Sequence, residues 1–254
     1  KLGGRVQVIG LVGADSDADR LRRDFDALSV DAGGLVVDPE RCTTRKLRVV
    51  TTRNQQVARV DYERDAEIAG SIEQAAVAKI DELAASADAI LVSDYLKGLV
   101  SRGVARACVD AGRRRTIPVL VDPILGDAGR LYVAEPTAAA IRDGLLPLAT
   151  IATPNLFELA WLTGSSSDAL TDPAGAPRRL GPPPVVVTSA AQTGEGIVTL
   201  AVTAEEIIVR TSPRQPDIPN GAGDLFAGLL LGYLLNGRSL AAALASARGP
   251  GAVQ

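Results

Sequence analysis

The chain has 254 residues, 46% of them hydrophobic and 22% charged, with a formal net charge of -3. That length and apolar content suffice for a full core. No Lys/Arg block marks a nucleic-acid or anionic-membrane partner, and no apolar run is long enough to span a bilayer. The chain has no histidine, which excludes Ser-His and Cys-His nucleophiles and imidazole zinc sites, so a general base must come from a carboxylate, Lys, Cys or Tyr. The two cysteines, Cys42 and Cys108, lie far apart; they predict a reduced, cytoplasmic protein with both thiols buried as small hydrophobes. The absence of methionine, even an initiator, points to a piece of a longer chain.

In chain order, RVQVIGLVG (Arg5–Gly13) is an apolar strand ending in glycine. DSDADRLRRDFDAL opens with acids and repeats Leu21, Phe25 and Leu28 at helical spacing. KLRVVTT and QQVARVDYE form a predicted hairpin turning at Arg53-Asn54. SIEQAAVAKIDELAASA is an amphipathic helix, AILVSD a short buried strand, SRGVARACVDAGRRR a helix capped by Ser101, and IPVLVD the next strand. The alternation continues with EPTAAAIRDGLLPLA as helix, TIATP as strand and NLFELAWLTG as helix. A Pro/Gly-rich connector with one weak helix follows, then the strand VVVTS, a hairpin of GIVTLAVT and EEIIVR, and two closing helices. Apolar strands alternating with helices predict an α/β domain with a doubly wound, mainly parallel sheet and helices on both faces. Residues 33–62 fall outside that rhythm and read as a small β lid on one domain of 1–254.

The stretch IPNGAGDLFAG (Ile218–Gly228) carries the chemistry. A helix beginning near Gly221 leaves unpaired N–H groups at its first turn, at the positive end of its dipole. Gly221, Ala222 and Gly223 have almost no side chain, so a phosphate can approach those N–H groups. Asp224 beside such an anion fits a base that takes a proton from a hydroxyl while the cradle holds a phosphoryl group. An acid in a first helical turn is also favourable in any protein. No G-x-x-x-x-G-K-[ST] loop is present, and a dinucleotide G-x-G-x-x-G fails because Phe226 takes the third glycine position. Asp122 sits at a strand's carboxyl end, where open α/β sheets bind ligands, although Asp122-Pro123 also spells a turn. Asn155 with Glu158 three residues on also spells a capping box.

PNGAGDLFAGLLLGYLL resembles the carboxyl-terminal signature of the ribokinase-like (PfkB) small-molecule kinases. That resemblance implies that Asp224 is the catalytic base and Gly221, Ala222 and Gly223 the anion hole. TPNLFELAWLTG resembles the family segment whose Asn and Glu organise Mg2+ and phosphate, here Asn155 and Glu158 acting through water. VVVTS resembles the strand that contacts ATP, here Thr188 and Ser189, with Asp122 in the same role. From Asp122 onward, DPILGDAGRLYV is similar to pyridoxal kinases. Before it, NQQVARVD and SDYLKG are similar to bacterial heptose 7-phosphate kinases of ADP-heptose synthesis. The implied acceptor is then a sugar phosphate, with Lys46 and Arg48 facing its anionic end and Asp94 and Lys97 lining its pocket. Pyridoxal is the alternative acceptor, and an inactive nucleotide-binding remnant the alternative outside enzymes. The resemblance also implies Mg2+ and ATP, a homodimer through the lid, and a strand and Gly-rich segment preceding the stretch that begins this sequence; their absence would leave a sheet edge.

Overall fold

Val6–Val12 (β1) and Val30–Val37 (β2) form a parallel pair joined by the helix Ser16–Ala27 (α1), a βαβ unit. Asp15 caps α1 by accepting the Ala18 N–H at 2.9 Å. The computed structural model describes residues 3–53, 55–127, 129–133, 135–165, 175–180, 184–194, 196–214 and 221–247. It divides into two compact units, residues 3–85 with 95–107 and residues 86–94 with the remainder.

In the first unit, the helix Gly70–Ala84 (α2) packs on β1 and β2. Its buried residues Ala76, Ile80 and Ala84 recur every four positions, one face of a helix. Gly34 permits that approach: a Cβ there would stand 2.5 Å from the Val8 carbonyl oxygen and 2.9 Å from Leu83 Cδ1. Arg45–Val50 (β3) and Gln56–Tyr62 (β4) form the predicted antiparallel hairpin, whose Asn54 lies outside the described residues. Of the run 33–62 read as a lid, residues up to Val37 therefore belong to β2. The hairpin has two characters, with Leu47, Val49, Ala58 and Val60 on one side and Lys46, Arg48, Arg59 and Asp61 on the other. Cys42, expected to be buried, is exposed.

The helix Arg102–Arg115 (α3) runs from the first unit into the second, with Ser101 Oγ accepting the Val104 N–H as the expected cap. The second unit holds a six-stranded sheet of Ile90–Ser93 (β5), Val119–Asp122 (β6), Ile151–Ala152 (β9), Val185–Thr193 (β10), Gly196–Val202 (β11) and Ile207–Ser212 (β12). A tiny hairpin, Gly126–Asp127 (β7) with Arg130–Leu131 (β8), stands apart from it. The sheet order is β12-β11-β10-β9-β6-β5, with β5, β6, β9 and β10 parallel and β11 and β12 antiparallel. This is an α/β fold whose sheet is mixed.

Its remaining helices are Glu135–Ala140 (α4), Leu156–Thr163 (α5), Gly175–Arg179 (α6), Ala222–Leu235 (α7) and Leu240–Ser246 (α8). The single helix expected over 135–149 is broken: after α4 the chain makes a π turn at Ile141–Leu145 and a 3-10 turn at Leu146–Leu148. Pro147 has no N–H to give a regular helix there. The core joins Leu120, Ile151 and Val186 of the sheet to Leu230 and Leu231 of α7 and Leu244 of α8. Cys108 is buried, and burial pushes its thiol up to about 12, so it behaves as a small hydrophobe. No helix among the described residues is long and apolar enough to cross a membrane.

Candidate active site

The parallel strands β5, β6, β9 and β10 present polar residues at their carboxyl ends. Ser93 closes β5 and pairs in register with Asp122, which closes β6. Thr153 follows β9, and Thr188 of β10 bridges to Asn155. The first turn of α7 lies at this row, because Ser93 Oγ donates to Asp224 Oδ1 at 2.8 Å.

Gly221 starts α7 with φ +95°, a left-handed conformation that costs an L side chain strain. No described side chain caps the helix, and its first intrahelical bond runs from the Leu225 N–H, four residues on, to the Gly221 carbonyl. A Cβ placed on Gly223 would meet no described atom within 4 Å, so the position itself has room. Gly221, Ala222 and Gly223 are exposed while Asp224 is half-buried. Pro219 and Asn220 of the same motif lie outside the described residues.

Asp122 is buried and accepts from Thr153 Oγ1 at 3.1 Å. Burial, with the charges of Glu158 and Asp224, raises its pKa from 3.8 to about 7. Glu158 is also buried, and burial raises its pKa although three backbone N–H groups oppose the rise. Those donors are Leu125 at 2.7 Å and Gly126 at 3.4 Å to Oε1, and Asn155 at 2.8 Å to Oε2. Asn155 Oδ1 in turn accepts the Glu158 N–H at 2.9 Å, completing the capping box, while its Nδ2 donates to the Gly126 carbonyl at 2.8 Å. Asn155 and Glu158 thus tie the loop after β6 to the start of α5. Within that loop Ile124 has φ +42°, unusual for a β-branched residue.

Thr188 and Ser189 lie where the β10–β11 ladder slips out of register, between Val187 and Ala191. Ser189 is exposed with φ +49°, and the Thr188 N–H donates to the Pro154 carbonyl. Asp94, the residue after β5, is buried.

Lys46, Arg48 and Lys97 belong to the other unit and its own charge network. Lys46 Nζ lies 3.1 Å from Glu63 and 3.5 Å from Asp61. Lys97 Nζ lies 3.1 Å from Glu63 and 2.9 Å from Asp65. Burial works against the Lys97 charge, but Asp65 and Glu63 outweigh it and its pKa is raised. Arg48 stands directly across the hairpin from Arg59, which pairs with Asp61 at 3.0 Å. Asp61 Oδ1 is buried and accepts no hydrogen bond.

Beneath these lies a structural knot. Arg41 donates to Asp38 Oδ2 at 2.8 Å and to the carbonyls of Arg64, Lys97 and Ala66. Asp15 Oδ2 accepts the Thr43 N–H at 2.7 Å, which does most to hold its carboxyl below the usual range, and Thr43 Oγ1 accepts the Gly13 N–H.

The profile of the pfkB family carbohydrate kinases covers residues 1–254. This chain belongs to that family. Among the relatives of this pfkB chain, the bifunctional protein HldE of Caulobacter vibrioides is 35% identical over 246 residues, 95% of this chain and 47% of that protein. The chain therefore spans about half the length of the curated relatives it matches. Among solved structures, an ADP complex of Bacillus subtilis pyridoxal kinase matches with a TM-score of 0.59 at 21% identity, covering 96% of this chain and 89% of that one. A putative ribokinase II of E. coli, in its apo form, matches with a TM-score of 0.70 at 17% identity, covering 97% and 75%. These structures establish the ribokinase-like fold of the pfkB chain.

The sequence reading missed Ser93, Thr153, Asp61 and Glu63. Ser93 carried a usable signal, since it ends a short buried strand at the sheet end where open α/β folds bind ligands. Glu63 carried none, because its pairing with both Lys46 and Lys97 depends on tertiary structure.

Proposed function

We propose that this chain transfers the γ-phosphoryl group of ATP to a hydroxyl of a sugar phosphate of the heptose 7-phosphate type. The observation that carries this reading is Asp224, half-buried in the first turn of α7 directly after a glycine-rich start that no described side chain caps, with room at Gly223 among the described residues. Asp224 accepts the proton of the attacking hydroxyl. The N–H groups at Gly221–Gly223 meet the charge that builds on the transferring phosphoryl group, each donor contributing about 3–4 kcal/mol. Asp122, Thr188 and Ser189 line the ATP side, where the slip in the β10–β11 ladder exposes Ser189.

A divalent cation suits this set: the mutual repulsion that helps raise the Asp122 pKa is relieved by positive charge, and carboxylate and amide oxygens are the ligands Mg2+ prefers. Glu158 and Asn155 are already committed to backbone groups, so they would hold Mg2+ through water. Mg2+ bound there would supply neutralisation of phosphate charge.

On the acceptor side, Lys46 and Lys97 share Glu63 and each reaches one further carboxylate, and Arg59 pairs with Asp61, which leaves Arg48 as the proposed anion anchor. Arg48 faces Arg59 directly across the hairpin, and like charges so placed are unfavourable, so an added anion at Arg48 is favoured. An anion anchor on this face favours a sugar phosphate over pyridoxal, as does the 35% identity to HldE over nearly the whole chain. The exposed Leu47, Val49 and Val60 side of the hairpin is the proposed contact between two copies. ATP as co-substrate fits a cytoplasmic setting.

The test is turnover with Mg-ATP and heptose 7-phosphate or pyridoxal in parallel. Phosphorylation of the sugar alone is expected, and an Asp224→Asn variant that keeps the parental rate overturns the mechanism. ATP binding with no transfer to either acceptor favours a nucleotide-binding remnant.

A further inference from the structure

We infer that Ser93 is a positioning residue for Asp224, holding its carboxylate in the orientation that receives the acceptor proton. The inference rests on the reading of Asp224 as the base. Ser93 and Asp224 are 131 residues apart in sequence, yet Ser93 Oγ lies 2.8 Å from Asp224 Oδ1. A carboxylate only accepts, so the hydroxyl is the donor and the bond is charge-assisted.

The two partners differ in rigidity. Ser93 is the last residue of β5, fixed by an unbroken parallel register from Ile90↔Val119 to Ser93↔Asp122. Asp224 sits in the first turn of a helix whose N-cap is a glycine, with no described side chain capping that turn. A hydroxyl mounted on the sheet therefore gives the carboxylate a fixed reference point. One oxygen held this way fixes the plane of the carboxylate and the direction of the other. Loss of such orientation lowers the rate of the chemical step more than it lowers binding. The neighbouring strand repeats the arrangement, since Thr153 Oγ1 donates to Asp122 Oδ1. There the carboxylate is buried at a strand end, whereas Asp224 is half-buried on the helix.

A purely structural pin between β5 and α7 would act differently. Its loss would lower thermal stability, and its effect on rate would not depend on the residue at 224. The experiment compares the parental chain with Ser93→Ala, Ser93→Thr, Asp224→Asn and the Ser93→Ala/Asp224→Asn double variant. It reads kcat and KM for ATP with heptose 7-phosphate or pyridoxal, together with melting temperature. Ser93→Ala is expected to lower kcat at least tenfold, with KM for ATP within about twofold and melting unchanged. Ser93→Thr restores most of the rate. In the Asp224→Asn background Ser93→Ala has no further effect, the non-additivity expected of residues that act as one.

A silent Ser93→Ala beside an inactive Asp224→Asn overturns the role of Ser93 alone. An Asp224→Asn variant at the parental rate removes the base reading instead. An equal Ser93→Ala loss in both backgrounds also overturns the inference. A second readout needs no turnover: carbon-13 NMR of aspartate carboxyls, with the Asp224 signal identified by its loss in Asp224→Asn. Ser93→Ala moves that signal if the hydroxyl orients the carboxylate, and an unmoved signal overturns the inference.

Discussion

Asp122→Asn is expected to change how the stability of the protein depends on pH. The carboxyl's pKa is raised from 3.8 to about 7 by burial, by Glu158 and by Asp224. The folded state therefore holds the proton more tightly than the unfolded chain. The associated stability is present at low pH and is lost as pH rises through about 7. Keeping this group ionised in the fold costs about 4 kcal/mol, and between pH 5 and pH 8 about 2–3 kcal/mol of it comes into play. Glu158, also raised, adds to the same slope. Asp15 and Asp38, both lowered, act only in more acidic solution. Asparagine keeps an oxygen for the Thr153 hydroxyl but carries no charge, so the variant lacks this part of the slope. The assay is urea unfolding from pH 5 to pH 8 followed by Trp161, the single tryptophan, which lies in the same unit. The variant should gain on the parent by about 2–3 kcal/mol across that range. A difference between the two that stays flat with pH refutes the argument.

Glu158→Gln turns an amide NH2 toward backbone donors that a carboxylate satisfied from both oxygens. It should cost about 3 kcal/mol in urea unfolding and raise protease sensitivity at the loop after β6. Arg41→Ala strands Asp38, whose side chain is 12% exposed, and should destabilise by about 3–5 kcal/mol at pH 7. Arg41 is the first cause of the lowered Asp38 pKa, so this stabilisation is present above the ordinary value of 3.8 and lost as pH falls through the folded value; the gap to the parent should narrow near pH 3. Gly223→Val puts a branched side chain at the start of α7 and should cut kcat/KM for ATP at least a hundredfold, with melting within a few degrees. Arg48→Ala should raise KM for heptose 7-phosphate about tenfold and leave KM for ATP unchanged, whereas Lys46→Ala, removing an already neutralised charge, should do less.

The parallel strands were legible because β6 and β10 are short apolar runs bounded by Pro, Gly and acids, and α7 because its motif combines small residues with an acid. Strand β2 was not. Its Gly33-Gly34 pair has low strand propensity, yet Gly34 lets α2 approach. The division of 135–149 depends on Pro147, whose missing N–H a hydrophobic pattern does not register. Within the candidate site, each acid was readable one at a time from its place at a strand end or helix start. What joins them was not, since Ser93 to Asp224 and Glu158 to Leu125 are contacts between distant segments that leave no spacing in the sequence.

The left-handed residues at the sheet's carboxyl end bear on engineering. Ile124 and Ser189 hold φ values of +42° and +49° that glycine or asparagine adopts at lower cost. A campaign for heat resistance would be drawn to both positions as cheap gains. Yet Ile124 lies in the loop that Glu158 and Asn155 clamp, and Ser189 marks the slip in β10. Relaxing either would trade a tensioned scaffold for a slacker one, and a durable variant of this protein is better sought at exposed positions of α2 and α8.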